Sequence, residues 1–177
     1  ELLTQLGLEY GLLEVDVDEQ RQPGEPALDD DNRVAREKAG AGLLEVVSVP
    51  DAIVLGADTE VVLADVVYGK PADQADAARM LRELSGRSHR VITAVWLVSA
   101  GREEHAICES EVRFAQLAEP DIAAYVQTGE CLGKAGAYAV QGRAAAFIEH
   151  LSGSYSGVMG LPLHETSLLL QKFRSRV

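Results

Sequence analysis

The sequence predicts an α/β or α+β domain built on a mixed sheet, not a doubly wound parallel one. Two observations predict it. Helix-period and strand-period segments mix along the whole chain, and several strand-like runs stand beside one another at hairpin spacing. No internal repeat and no break in composition cuts the chain, so residues 1–177 read as a single domain.

The elements follow in order. ELLTQLG reads as the tail of a helix closed by Gly7, and with no Met before it an upstream segment is expected. Residues 8–17 (LEYGLLEVDV) read as a strand, and EQRQPGEPALDDD as a polar loop. DNRVAREKAGAGLLEVV reads as a helix capped by Asp31 or Asn32, with Val34, Ala35, Lys38, Ala41 and Leu44 near one face. IVLGAD reads as a strand, and EVVLADVVYG as a second strand or hairpin. KPADQADAARMLRELSG is the clearest helix: Asp73 caps it, Ala77, Met80, Leu81 and Leu84 form its apolar stripe, and Gly86 ends it. HRVITAVWLVSAG is a strand, and EHAICESEVRFAQL gives one or two more, with Val112, Phe114 and Leu117 alternating inward. EPDIAAYVQTG is a short helix. AGAYAVQGRAAAFIEHLSGSYSGVMG is Gly-rich and strand-like, and LPLHETSLLLQKFRSRV closes the chain as an amphipathic helix.

A net charge of -12 over 177 residues repels phosphate polymers, which argues against DNA or RNA as a partner. A small anion held by a few local cations is still compatible with it. Cys108 and Cys131 form no disulfide framework and no CxxC metal pair, which fits a reducing compartment. No run approaches the roughly 20 apolar residues of a membrane helix, and no secretory signal is present, so a cytoplasmic protein is expected.

Several motifs fail on spacing. Neither Gly69-Lys70 nor Gly133-Lys134 completes a phosphate-cradling P-loop: Ala64 and Pro71 spoil the first, a short interval from Gly129 and Ala135 the second. GSYSG centres on Tyr155, not on a serine nucleophile. His89, His105, His150 and His164 lack zinc spacing and read as surface or packed residues. Trp96 reads as core or interface.

What survives is a set of cations, carboxylates and an amide. Three of the four lysines, Lys38, Lys70 and Lys134, stand in the short marked contexts AREKA, YGKPAD and GKAGAY. Each taken alone is an ordinary surface charge. Asp58 follows IVLGA, so it is expected at or near the carboxyl end of a buried strand, where ligands bind in open α/β sheets. There it could bind a divalent cation or take a proton from water, or it could cap a turn. Gly56 and Ala57 are small enough to admit a ligand to the backbone. Glu19 lies among Asp16, Asp18 and Glu25, as a second carboxylate for the same metal or as part of a solvated loop. Gln141, in AYAVQG, could read a base edge or satisfy a turn. Such a set suits a metal-dependent enzyme acting on a small polyphosphate: lysines neutralise the phosphates, a metal and a base make hydroxide, and an amide selects the base.

VDEQRQPGE, VAREKA, VLGADTEVVL, GKPAD, EVRF, GKAGAYAVQG and GSYSGVMGLPL together resemble the Maf family, nucleoside triphosphate pyrophosphatases first known as septum-formation inhibitors. The resemblance runs from residue 1 to about residue 170 in the expected order. It implies an elongated mixed sheet flanked by helices, in two lobes with a central cleft, akin to the inosine triphosphate pyrophosphatases. It also implies hydrolysis between the α- and β-phosphates with a divalent cation, Mg²⁺ or Mn²⁺. By motif, Asp58 of GADT resembles the residue that activates water. Glu19, Lys38 and Lys70 resemble metal- and phosphate-contacting residues, with Glu19 and Asp58 as the metal ligands. Thr59 and Gln141 match determinants of base choice. GADT with AYAVQG resembles the branch acting on dTTP and UTP. The alternatives are 7-methyl-GTP as substrate, or a non-catalytic nucleotide-binding regulator of cell division. The expected partner is the nucleotide, with a homodimer allowed and no membrane. The family opens with a strand and an S-x-S-P-R-R loop that supplies arginines for the triphosphate, and neither is in this sequence. Gly40 stands where many relatives have Arg, Cys131 where many have Pro, and ALDDD replaces a more usual aromatic or aliphatic helix start.

Overall fold

The strand-period runs pair into one five-stranded sheet, seen in a computed structural model that describes residues 1–175. The strands are β1 (Val54–Leu63), β2 (Val66–Tyr68), β3 (Ser88–Ser99), β4 (Arg102–Phe114) and β5 (Ile148–Ser152), in the order β2-β1-β3-β4-β5. The edge pairs β1–β2 and β4–β5 are antiparallel. Among the described residues six α-helices accompany it: α1 (Leu2–Gln5), α2 (Ala27–Glu45), α3 (Gln74–Leu84), α4 (Glu119–Gln127), α5 (Tyr155–Val158) and α6 (Leu163–Arg174). The α/β class and the helix-flanked sheet are therefore as the sequence predicts. The closing helix is predicted through Val177; Arg176 and Val177 lie outside the described residues. No described helix is long and apolar enough to cross a membrane.

The chain folds into two compact units. The first holds Glu1–Asp58, Thr93–Cys108 and the stretch from Gly160; the second holds Thr59–Ile92 and Glu109–Met159. In the first unit, the initial half of β1 alternates strictly. Val54 packs with Ala35 and Ala39 of α2, while Leu55 and Ala57 pack with Leu169 and Phe173 of α6. In the second unit, α3 lays Ala77, Met80, Leu81 and Leu84 into a core shared with Val112, Phe114, Ile122 and Tyr125. Asp73 caps α3 by accepting the Asp76 N–H at 2.8 Å, and Gly86 takes the left-handed φ of +67° just past its end.

Four expectations are corrected. Residues 8–17 form no strand; Leu12 is 87% exposed, and no ladder partner satisfies the stretch. Helix α2 starts at Ala27, before Asp31 or Asn32, because Asp29 and Asp30 supply acidic charge to its first turn. Asn32 does not cap it; its Oδ1 accepts the Trp96 indole N–H at 2.8 Å. The buried residues of α2 are Asp30 and Asp31 in its first turns and then Val34, Ala35, Ala39 and Gly42, with Leu44 74% exposed, so its apolar stripe is one of small residues, not large ones. Finally, the Gly-rich segment is mostly 3₁₀ turns (Ala135–Ala137, Arg143–Phe147) before the short β5.

Gly56 explains the small face. A Cβ at Gly56 would sit 2.5 Å from the Ala35 carbonyl oxygen and 2.6 Å from the Ala39 nitrogen, so strand and helix meet backbone to backbone. Gly56→Ala should destabilise the protein by about 3 kcal/mol, an overpacking cost, lowering Tm by about 6–12 °C at this size. Gly40→Ala, where a Cβ meets nothing within 4 Å, should instead gain about 0.5–1 kcal/mol. Thermal melts of the two variants give opposite signs, and equal signs would refute the packing account.

His89 supplies a second test. It is 2% exposed, edge-on to Phe114 and Tyr138, hydrogen-bonded through Nε2 to the Tyr138 hydroxyl at 2.7 Å, and Nδ1 has no hydrogen-bond partner. Burial pushes its imidazole down to about 4 from the ordinary 6.5. The unfolded chain then binds the extra proton between those values. The stability this histidine carries is complete above pH 6.5 and falls by about 3 kcal/mol as the pH drops to 4. Urea midpoints across that window should fall more steeply for the wild type than for His89→Gln.

Candidate active site

Strand alternation aims Asp58. Val54 and Gly56 face α2, so Asp58, two residues further, faces the same helix. Lys38 precedes Ala39, the residue against which Gly56 packs. The close approach therefore brings the Lys38 ammonium onto the Asp58 carboxylate: Nζ donates to Oδ1 at 2.7 Å. Glu19, from the irregular segment before α2, reaches the same ammonium, Oε1 lying 2.8 Å from Nζ. Lys38 and Asp58 are largely shielded, at 21% and 17% side-chain exposure. Burial disfavours the Lys38 charge, but the hydrogen bonds and charges of Asp58 and Glu19 outweigh it and hold the ammonium above the ordinary lysine value.

Three of the six sequence-predicted residues are thus joined in one cluster of the first unit. Thr59, Lys70 and Gln141 belong to the second unit. Thr59 is half-buried next to Asp58 in β1; Lys70 and Gln141 are exposed. The Gly136 N–H donates to the Gly69 carbonyl at 3.2 Å, tying the backbone beside Lys70 to that beside Lys134. Asp58 is not at a strand end as expected; it lies midway along β1, which continues to Leu63. Gly56 does not admit a ligand to the backbone, because α2 occupies that space. Glu25 leaves the acidic group to pair with Arg33 at 3.0 Å, so Glu19 alone of the loop carboxylates in that run bonds Lys38 among the ion pairs seen.

A cavity of about 660 Å³ opens beside Lys38, with Tyr10, Leu13, Val15, Gly42 and Val54 in its wall. Its lining is mainly apolar, so it does not provide a phosphate cradle. Among the described residues no group of three or more His, Cys, Asp and Glu converges as a metal held by protein alone would need. Two carboxylates sharing one ammonium keep one net negative charge, and hard oxygen donors of this kind suit Mg²⁺ or Mn²⁺ completed by phosphate and water.

One residue that braces the turn after Gln141 escaped the sequence reading. Glu130 accepts backbone N–H groups from Arg143 and Ala144, on the far side of Gln141. Its only signal is TGE, eleven residues before Gln141, which carries no motif meaning by itself.

The fold and the cluster define an α/β protein whose candidate site is a lysine-bridged carboxylate pair, able to take a proton from water or share a hard cation. The chain matches the Maf-like protein family over residues 1–173 and belongs to it. It is 58% identical over 175 residues to the dTTP/UTP pyrophosphatase of Xanthomonas axonopodis pv. citri (strain 306), covering 98% of this chain and 92% of that protein. It is 49% identical over 185 residues to the dTTP/UTP pyrophosphatase of Albidiferax ferrireducens (strain ATCC BAA-621 / DSM 15236 / T118), covering 100% of this chain and 92% of the relative.

Asp58→Asn should lower the pKa of Lys38, since burial stays while half of its compensation goes. NMR titration of the lysine side chains reads this directly. An unmoved Lys38 in that variant would mean that the contact is not an ion pair.

Proposed function

We infer that this chain is a nucleoside triphosphate pyrophosphatase that hydrolyses dTTP and UTP between the α- and β-phosphates, releasing the monophosphate and pyrophosphate. The observation that carries it is Lys38 bridging Asp58 and Glu19 at 2.7 and 2.8 Å in a chain so similar to relatives named for that activity.

In this mechanism Asp58 takes the proton of the water that attacks the α-phosphorus. Lys38 holds the Asp58 carboxylate in place, and its fixed positive charge opposes the negative charge growing on the phosphate oxygens. Because burial of Lys38 is outweighed by its two carboxylates, it stays cationic throughout the neutral range. Lys70 binds a phosphate oxygen as a second cation, and Glu19 keeps Lys38 charged and aligned. Glu19 and Asp58 would hold Mg²⁺ or Mn²⁺, which when bound neutralises phosphate charge. Thr59 and Gln141 contact the base. The proposed compartment is the cytoplasm, where nucleoside triphosphates are abundant.

Pyrophosphate release from dTTP, UTP, CTP, 7-methyl-GTP and ITP tests this, with Mg²⁺ or Mn²⁺. The assay is run on the chain and on the chain preceded by the family's S-x-S-P-R-R segment. Release from dTTP and UTP is expected. Asp58→Asn should cut kcat by about 10²–10⁴-fold, the usual worth of a general base, with nucleotide binding kept. A preference for 7-methyl-GTP would move the substrate; binding without release in both chains would make the protein a nucleotide-sensing regulator.

A further inference from the structure

Glu19 reaches Lys38 from a segment that no regular structure holds: residues 8–22 form neither helix nor strand. Its pair with Lys38 is open to water on the glutamate side, at 39% side-chain exposure. An ion pair of that kind orders a loop weakly by itself, because bringing the carboxylate to its partner costs backbone and side-chain entropy. A second attachment is needed to keep Glu19 in place.

Arg33 supplies it. It stands five positions before Lys38 on α2. Its Nη2 donates to the Gln20 carbonyl at 3.2 Å, and Gln20 is the residue after Glu19. Two successive loop residues are therefore tied to one helix, Glu19 by its carboxylate to Lys38 and Gln20 by its carbonyl to Arg33. Glu25 secures the other end of the loop. Both its carboxylate oxygens accept from Arg33, Oε1 from Nε at 3.0 Å and Oε2 from Nη2 at 3.2 Å. Glu25 Oε2 also accepts the Gln22 N–H at 3.1 Å, and the Glu25 carbonyl accepts the Arg21 Nε–H at 2.6 Å. Asp30 and Glu37 of α2 accept from the same guanidinium and fix its plane. The Arg33 hydrogen bonds hold the Glu25 carboxyl below its ordinary value against the burial that opposes it, so the grip is ionic across the neutral range. An ammonium could not reproduce this fork, whose N–H groups leave in one plane at fixed angles.

We propose that Arg33, with Glu25, is the positioning residue that presents the Glu19 carboxylate to Lys38 and so sets the affinity of the site for its divalent cation. This role rests on those proposed above for Glu19 and Lys38. Arg33 touches no reacting atom; it acts through the loop.

Three variants test it: Arg33→Lys, which keeps the charge and loses the fork, Glu25→Gln, and Glu19→Gln. The first readout needs no activity. Trypsin cleaves after Arg21, whose side chain is bound inside the loop, so cleavage in EDTA, well below the Tm of each protein, reports loop opening. Arg33→Lys should speed it about tenfold, the scale of one or two hydrogen bonds. Glu25→Gln should move it the same way, which keeps the test open if Arg33→Lys folds poorly. The second readout is the Mn²⁺ concentration that half-saturates dTTP binding and pyrophosphate release. Arg33→Lys should raise it about 10–100-fold, the usual effect of losing a residue that orients a metal ligand. Its kcat at saturating Mn²⁺ should change little, and it should add nothing in the Glu19→Gln background. A lower Tm with unmoved cleavage, or with an unmoved Mn²⁺ requirement, would make Arg33 a helix brace only and overturn the proposal. If Glu19→Gln leaves the Mn²⁺ requirement alone, the metal role of Glu19 falls first and this one with it.

Discussion

The backbone contact at Gly56 is the constraint on which the first unit's chemistry depends. Ala35 and Ala39 are fully buried because β1 lies against them without an intervening side chain. That separation sets how far Lys38, one residue before Ala39, stands from Asp58, two residues after Gly56. A helix held one side-chain layer further out would leave a long lysine and a short aspartate unable to meet at 2.7 Å. Packing and electrostatics are thus one fact: the close approach removes water from Lys38, and the carboxylates it delivers keep the lysine charged.

Not all ion pairs in this acidic chain carry that weight. Arg82–Glu119, Arg90–Glu109 and Arg113–Glu149 have both partners about half exposed or more, and pairs of that kind contribute little to stability. Only four of the 16 Lys and Arg residues are lysines, against 28 acidic residues, and Arg36, Arg79, Arg82, Arg90 and Arg113 are all in exposed pairs. Lys38 differs from those surface pairs because it is enclosed and answers to two carboxylates at once, as the equally enclosed Arg33 does with Glu25 and Asp30. A point charge on a flexible stem suits that position better than a planar guanidinium, since it can serve two carboxylates that approach from different segments.

Elements whose signal is local were legible in the sequence. Helix α3 needed only its own cap, stripe and closing glycine, β3 only its continuous apolar run, and α4 only its own short pattern. Elements decided by a partner were not. The buried face of α2 is small because of Gly56, and no periodicity of α2 itself reports that. Residues 8–17 have strand composition but no ladder, so propensity alone overstates them. Asp58 and Lys38 are found through residue type and family motif, yet their contact spans twenty positions and depends on a glycine that admits a helix, not a ligand. Glu130 is invisible for a related reason: besides Tyr125, its partners are the backbone N–H groups of Arg143 and Ala144, and every sequence contains such groups.

Three glycines near the candidate site residues share one feature that Gly69, beside Lys70, and Gly133, beside Lys134, lack, since a Cβ at either of those two meets nothing within 4 Å. Gly56 precedes Asp58 by two positions and admits a helix backbone; Gly142 follows Gln141 and admits a carboxylate; Gly136 lies two after Lys134, and a Cβ there would lie 2.8 Å from Val61 Cγ2. Gly136 does take a positive φ of 68°, but Gly56 and Gly142 do not, so conformational freedom is not their common property. What they share is that a supporting group occupies the volume of the missing side chain. Gly56, Gly136 and Gly142 are therefore evidence about the supports, and the residues near them owe their placement to groups distant in sequence. On that basis a substitution at Asp58 or Gln141 removes a chemical group, whereas one at the neighbouring glycine moves the element that aims it.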